Sequence, residues 1–382
     1  MVDEALAGLL VAFVLATVLT PAAGRVAILV GAVDVPRARG LAQQSTPLLG
    51  GLAIFAGAGV AGLLFLPDTG RYHSILIGAA LITAVGAIDD RLPLPAVLKL
   101  AGQLSAALIL VLGDVTVDIM TIPFVGRVDF GDAGGPLTVV GLLAIMNAVN
   151  FTDGMDGLAS GVCAISAATF AIIAFSLSRD GAGVLALITC GAALGFLVHN
   201  FPPARIFMGD CGSNLLGLLL GATIVEGSLK TTSLVALIVP LLVLAVPFLD
   251  TTFVVLKRMK YHRPVYSADA NHFHHRFARI GFSQRKTVAY LYGWASTMAA
   301  VAIAMRYVPY SDDHGNFHAG WTALMAVFLL LGLAFSVYVV YTLEILKFKR
   351  FRMRAAPGTS EFDIEQGIER DLETGEWDAG EA

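Results

Sequence analysis

Charge is what this chain is short of. Asp, Glu, Lys and Arg make up 14% of its 382 residues, against 57% hydrophobic, where a soluble protein usually carries about 25% charged residues. The shortfall excludes an ordinary water-soluble globule and points to an integral membrane protein, and the mean hydropathy of +0.76 agrees. Cysteine is nearly as scarce. Cys163, Cys190 and Cys211 are the whole set, all in or beside apolar runs, and their spacing suggests neither a disulfide framework nor a zinc site. A basic leader is also missing. Asp3 and Glu4, not Lys or Arg, precede the first apolar run, so that run reads as a first membrane helix and not as a secretory signal.

What the chain does have is a series of uncharged runs. About 20 apolar residues make one helical crossing. Runs of that order lie at 5–24, 48–67, 135–152, 157–178, 181–198, 231–249, 287–305 and 319–342. Shorter ones at 74–88, 100–113 and 211–225 reach span length if their polar flanks are buried in protein. The expectation is an all-α polytopic membrane protein of about eleven transmembrane helices. If alternate loops are assigned to two sides, twenty of the 25 Lys and Arg fall on one of them. The positive-inside rule makes that side cytoplasmic, with the N-terminus outside and the C-terminus inside a plasma (inner) membrane. Alternation within 114–134 predicts a short β-hairpin on the outer face. Residues 1–354 form the transmembrane domain. Residues 355–382, acidic and poor in apolar side chains, read as a disordered cytoplasmic tail.

The unusual polar groups then gather on one face. Asp89-Asp90, the series Asn147, Asn150, Asp153 and Asp156, the loop Phe207-Met208-Gly209-Asp210, and His272, His274, His275 with Arg276 are all cytoplasmic by the loop count. Polar groups at a span end are costly unless satisfied, and they mark functional sites. Taken singly each has a plainer reading: Asp89-Asp90 capping a helix end, Asp210 capping a turn, Lys99 snorkelling to the interface, Phe207 packing. Taken together they suggest phosphoryl chemistry. Carboxylates and carboxamide oxygens suit Mg²⁺ or Mn²⁺. Histidines and Arg276 suit a diphosphate, and glycines such as Gly209 let backbone N–H groups approach a ligand. An ion or anion transporter is the other class to weigh, but it should place ionisable groups near mid-membrane in repeated halves. Within the series 147–156, residues three apart drift about 60° per step. They serve one site only if the helix stops near residues 151–153, with Gly154 and Gly157 turning the chain back.

Asp89-Asp90, Asn147-x-x-Asn150-x-x-Asp153-Gly-x-Asp156-Gly, Phe207-Met208-Gly209-Asp210-x-Gly-Ser213, His272-Phe273-His274-His275, Thr46-Pro47-x-x-Gly50-Gly51 and Lys99-x-x-x-Gln103 together resemble the polyprenyl-phosphate N-acetylhexosamine-1-phosphate transferases, the MraY/WecA-like family. The resemblance implies attack of a lipid phosphate on the β-phosphorus of a UDP-sugar, with loss of UMP. It assigns Mg²⁺ (or Mn²⁺) to Asn150 and Asp210. Catalytic roles go to Asp89, Asp90, Lys99, His274 and His275. Substrate contacts go to Thr46, Asn147, Asp153, Asp156, Phe207, Gly209, His272 and Arg276. Phe273 interrupts the histidine run as in the branch that uses UDP-N-acetylglucosamine, and the muramyl-pentapeptide transferase is the alternative. Gln43-Gln44-Ser45 stands where that alternative branch carries lysines. The implied partners are UDP-GlcNAc, a polyprenyl phosphate and the membrane. A homodimer is left open, and no nucleic acid is expected.

Overall fold

The computed structural model describes residues 2–34, 45–122, 126–227, 240–245, 247–249, 252, 283–308 and most of 318–338. Helices dominate: α1 (Val2–Val30), α2 (Gly50–Phe65), α3 (Gly70–Arg91), α4 (Ala96–Leu112), α5 (Gly134–Thr152), α6 (Leu158–Ser176), α7 (Asp180–Asn200), α8 (Gly209–Gly227), α9 (Gln284–Tyr307) and α10 (Ala319–Ser336). Seven of these are long and apolar enough to cross a membrane, and α2 and α4 are shorter apolar helices. The protein is an all-α polytopic membrane protein. Among the described residues there are also two small antiparallel ladders: β1 (Val33–Asp34) with β2 (Thr46–Pro47), and β3 (Ile119–Ile122) with β4 (Gly126–Asp129).

The first helix is longer than its uncharged run. It continues past Gly24 to Val30 and carries Arg25 on an exposed face. An uncharged-run criterion stops at the first charge, whereas an exposed arginine reaches along the helix to water without ending it. Pro21 does not end it either. Proline removes the N–H that would have bonded the Thr17 carbonyl, and His199 Nε2 of α7 lies 3.0 Å from that oxygen. Thr17 Oγ1 in turn donates to Gly195 O at 3.2 Å, so α1 and α7 are joined where the proline leaves a gap.

Helix α8 is the axis of the molecule. Every residue from Cys211 to Gly227 is buried, and α8 packs against α2, α3, α4, α5, α6 and α7. A helix covered on all sides can carry polar groups because its neighbours, not lipid, surround them. Approach is close where α3 meets the start of α8: a Cβ on Gly86 would run into the Cys211 backbone. Chain direction then decides what gathers at that end. Helices α1, α3, α5 and α7 finish there; α2, α4, α6 and α8 begin there. Helix α5 ends at Thr152 with Asp153 as its C-cap, and α6 starts after Gly157 at φ +75°, which is the break that the 147–156 spacing requires.

Candidate active site

The adjacent carboxylates Asp89 and Asp90 lie in the last turn of α3, about 100° apart, and they do different things. Asp90 turns into α8, where its Oδ1 accepts from Asp210 N at 2.7 Å and its Oδ2 from Cys211 N at 3.1 Å. The first N–H groups of a helix lack intrahelical partners and carry the positive end of its dipole, so a carboxylate from a neighbouring helix satisfies both. Gly209, at φ +72°, opens α8, and a Cβ there would strike the Asp90 carboxylate. Asp89 is buried and turns the other way. Its Oδ1 accepts from Leu94 N at 2.7 Å, and its Oδ2 is in contact with Lys99 Nζ.

Lys99, from the first turn of α4, bridges two carboxylates. Besides Asp89 it donates to Asp210 Oδ2 at 3.0 Å. Asn150 of α5 donates to the other oxygen of Asp210 at 2.8 Å and to Ser213 Oγ at 2.8 Å. Four helices therefore converge on one cluster: α3 through Asp89, α4 through Lys99, α5 through Asn150, α8 through Asp210. One turn deeper, Gln103 Nε2 donates to Asn214 Oδ1 at 2.7 Å, Asn147 Nδ2 to Gln103 Oε1 at 2.9 Å, and Asn214 Nδ2 to Asp210 O at 2.9 Å.

Beside the cluster lies the turn 153–157. Asp156 Oδ2 accepts from Ala204 N at 2.9 Å. The buried Asn200 accepts from Gly157 N at 2.9 Å and Ser160 Oγ at 3.1 Å, and donates to Ile206 O at 3.0 Å. Tyr292 of α9 donates to Gly157 O at 2.5 Å, and Arg285 Nε to Pro202 O at 2.9 Å. The Asp153 carboxyl is held well above the ordinary carboxylate range, first by burial, then by the charges of Asp210, Asp90 and Asp156. The loop before α8 is pinned to the start of α2: Phe207 N donates to Pro47 O at 2.9 Å, Gly50 N to Phe207 O at 3.0 Å, and Gly51 N to Met208 O at 2.9 Å. The Gly50-Gly51 backbone is therefore engaged with this loop. Thr46 is buried in β2, and Phe207 is half-buried.

Of the residues singled out in the sequence, Thr46, Asp89, Asp90, Lys99, Asn147, Asn150, Asp153, Asp156, Phe207, Gly209 and Asp210 thus lie at one end of the bundle. His272, His274, His275 and Arg276 lie outside the described residues. Asn214 and Asn200 were missed. Asn214 was legible as a carboxamide four residues after Asp210 in an apolar run. Asn200 had only its place before Phe201-Pro202-Pro203 to mark it.

The donor set fits a hard divalent cation. No group of three His, Cys, Asp or Glu able to hold a metal occurs among the described residues. Mg²⁺ does not require one, since it is held by one or two protein oxygens together with substrate phosphates and water. Asp210 with the Asn150 carbonyl supplies two such oxygens, and Lys99 already places positive charge against Asp210.

Residues 72–228 match the model of glycosyl transferase family 4. The chain is 35% identical over 361 residues to the probable undecaprenyl-phosphate N-acetylglucosaminyl 1-phosphate transferase of Bacillus subtilis (strain 168), covering 92% of this chain and 97% of that one. It is 36% identical over 349 residues to the decaprenyl-phosphate N-acetylglucosaminephosphotransferase of Mycolicibacterium smegmatis, covering 83% and 82%. To the undecaprenyl-phosphate alpha-N-acetylglucosaminyl 1-phosphate transferase of Escherichia coli O157:H7 it is 26% identical over 343 residues, covering 87% and 90%.

Proposed function

The chain belongs to the polyprenyl-phosphate N-acetylhexosamine-1-phosphate transferases of glycosyl transferase family 4, and from that premise we propose how its end-of-bundle cluster does the chemistry. The enzyme transfers N-acetylglucosamine-1-phosphate from UDP-N-acetylglucosamine to a polyprenyl phosphate in cell-envelope synthesis. A phosphate oxygen of the lipid bonds to the β-phosphorus of the nucleotide sugar. The bond from that phosphorus to the bridging oxygen breaks, UMP leaves, and the sugar remains on the lipid as a diphosphate. One observation carries the assignment of roles: Lys99 held between Asp89 and Asp210, with Asn150 on the far oxygen of Asp210.

Phosphoryl transfer asks the protein mainly for positioning and charge neutralisation. Lys99 faces the phosphate oxygens and offsets charge that builds in the transition state. Asp89, which shares Lys99 with Asp210, accepts a proton from the lipid phosphate and leaves it a better nucleophile. Asp210 and Asn150 would hold Mg²⁺, or Mn²⁺, and the ion would supply Lewis acidity to the transfer. Asp90 fixes the start of α8, so that Asp210 faces the reacting groups. The turn bearing Asp153 and Asp156 receives the uridine end beside Phe207. Thr46 and Gly209 contact the substrate, and His272, His274, His275 and Arg276 contact the phosphates or the sugar.

The finer topology belongs to this reading. Eleven spans rest on the uncharged runs, and an outer N-terminus with a cytoplasmic site in the plasma membrane and an acidic cytoplasmic tail at 355–382 on the Lys and Arg distribution. The decisive assay supplies labelled UDP-N-acetylglucosamine, polyprenyl phosphate and Mg²⁺ to the purified protein. Labelled lipid with stoichiometric UMP is the expected result. Turnover only with the UDP-muramyl-pentapeptide donor would move the assignment to that branch. Ion flux in liposomes without transfer to either lipid product would overturn it.

A further inference from the structure

The reactive cluster stands on a second, uncharged layer of the same construction. Helix α4 supplies Lys99 above and Gln103 below; α8 supplies Asp210 above and Asn214 below; α5 supplies Asn150 above and Asn147 below. Residues three or four apart lie on one face of a helix, about 4.5–6 Å apart along its axis. Both layers are closed by side-chain hydrogen bonds across the same helices. Lys99 to Asp210 is 3.0 Å and Gln103 to Asn214 is 2.7 Å between α4 and α8. Asn150 to Asp210 is 2.8 Å between α5 and α8, and Asn147 to Gln103 is 2.9 Å between α5 and α4. The lower layer also reaches upward, since Asn214 Nδ2 bonds the Asp210 carbonyl at 2.9 Å, and back along its own helix, since Asn147 Nδ2 bonds Leu143 O of α5 at 2.8 Å.

We propose that Gln103 and Asn214, with Asn147, are positioning residues that set the mutual register of α4, α5 and α8, and so the placement of Lys99, Asn150 and Asp210. Gln103 is 6% exposed and Asn214 7%. A carboxamide buried that far has no water to turn to and keeps its partner. Its donor and acceptor are directional, which apolar packing is not, so the layer admits one axial register of each helix. Being neutral, it gives a cation no ligand charge and so confines positive charge to the layer above. This rests on the reading of Lys99, Asn150 and Asp210 as the reacting and metal-holding groups.

The test uses full-length protein in lipid and detergent. Variants Gln103→Leu, Asn214→Leu, Gln103→Asn, and the exchange Gln103→Asn with Asn214→Gln are compared with the parent. Turnover, KM for UDP-N-acetylglucosamine, half-maximal Mg²⁺ and the Mg²⁺-induced shift in melting temperature are measured. The Leu variants should lose turnover by about 100-fold, the scale of a roughly 1 Å misplacement. They should need about tenfold more Mg²⁺, as when a partner that orients a ligand is lost, with KM little changed. Shortening Gln103 alone should impair the enzyme, and the exchange should regain most of the loss because the summed reach of the two side chains is restored. A folded Leu variant with parental turnover and Mg²⁺ response would overturn the proposal. So would an exchange no better than the single Gln103→Asn; that comparison decides the matter if the Leu variants do not fold. Absence of turnover in the parent would count against the transferase reading, while the Mg²⁺-induced melting shift would still test the layer.

Discussion

Asp89 and Asp90 are neighbours in sequence but take different partners. Asp90 accepts two backbone N–H groups of α8; Asp89 pairs with a lysine that also serves Asp210. Replacing Asp90 by Asn presents an NH₂ group to N–H donors, and a buried donor left without an acceptor costs about 1–3 kcal/mol. Asp90→Asn should therefore lower the melting temperature in detergent together with turnover. Asp89→Asn should lower turnover more than it lowers donor binding, and leave melting close to the parent. Isothermal titration with UDP-N-acetylglucosamine, run beside the melts, separates the two; equal effects on both readouts would contradict the division of labour. Asp153 gives a pH prediction. Its carboxyl is held above the ordinary carboxylate range by burial and by the charges of Asp210, Asp90 and Asp156. Above the unfolded pKa the folded state holds a proton that the unfolded chain has lost. Stability is therefore greatest below about pH 4 as far as this group is concerned, and falls by up to about 1.4 kcal/mol per pH unit as pH rises toward the folded value. Asp153→Asn should flatten that slope in metal-free protein while weakening nucleotide binding, and a slope that survives the substitution would assign it to other groups.

At the scale of elements, the site depends on how closely α3 approaches α8. A Cβ at Gly86 would meet the Cys211 backbone, and backbone cannot move aside as a flexible side chain can. Gly86→Ala should push the end of α3 away from the start of α8, loosen Asp90 from its two N–H groups, and reduce turnover by about 100-fold. Unchanged activity with unchanged melting would show that the junction tolerates the extra methyl. This scale also shows what could be read from the residues alone. The end of α5 at Thr152 was legible, because four polar residues at a spacing of three cannot share a face over nine residues of helix. The single-ended clustering was legible because alternation of short-looped spans places alternate ends together. The extension of α1 to Val30 was not; hydropathy registers Arg25 as an end, and only the structure shows it on an exposed face. Asn214 and Gln103 were visible as residues but not as a pair. Their partnership depends on which faces of α4 and α8 meet, and the apolar runs around them carry no strong helical periodicity that would reveal it.

For the whole molecule, the remaining question is which way the end bearing Asp210 faces, and the chain's scarcity of cysteine makes this measurable. Cys163, Cys190 and Cys211 are all buried, so an impermeant thiol reagent applied to intact cells should find little background. Asp68, between α2 and α3, and Asp132, between α4 and α5, are exposed at the end opposite the site; Leu92, after α3, is exposed at the site end. Twenty of the 25 Lys and Arg fall on the side that includes Leu92, and a bias of that size sets orientation because basic loops resist translocation. Asp68→Cys and Asp132→Cys should therefore label in intact cells, and Leu92→Cys only after the membrane is opened. The reverse pattern would put the cluster outside, away from a cytoplasmic nucleotide sugar, and would overturn the proposed source of the donor. Labelling of all three in intact cells would mean that the spans do not alternate as the helix order requires.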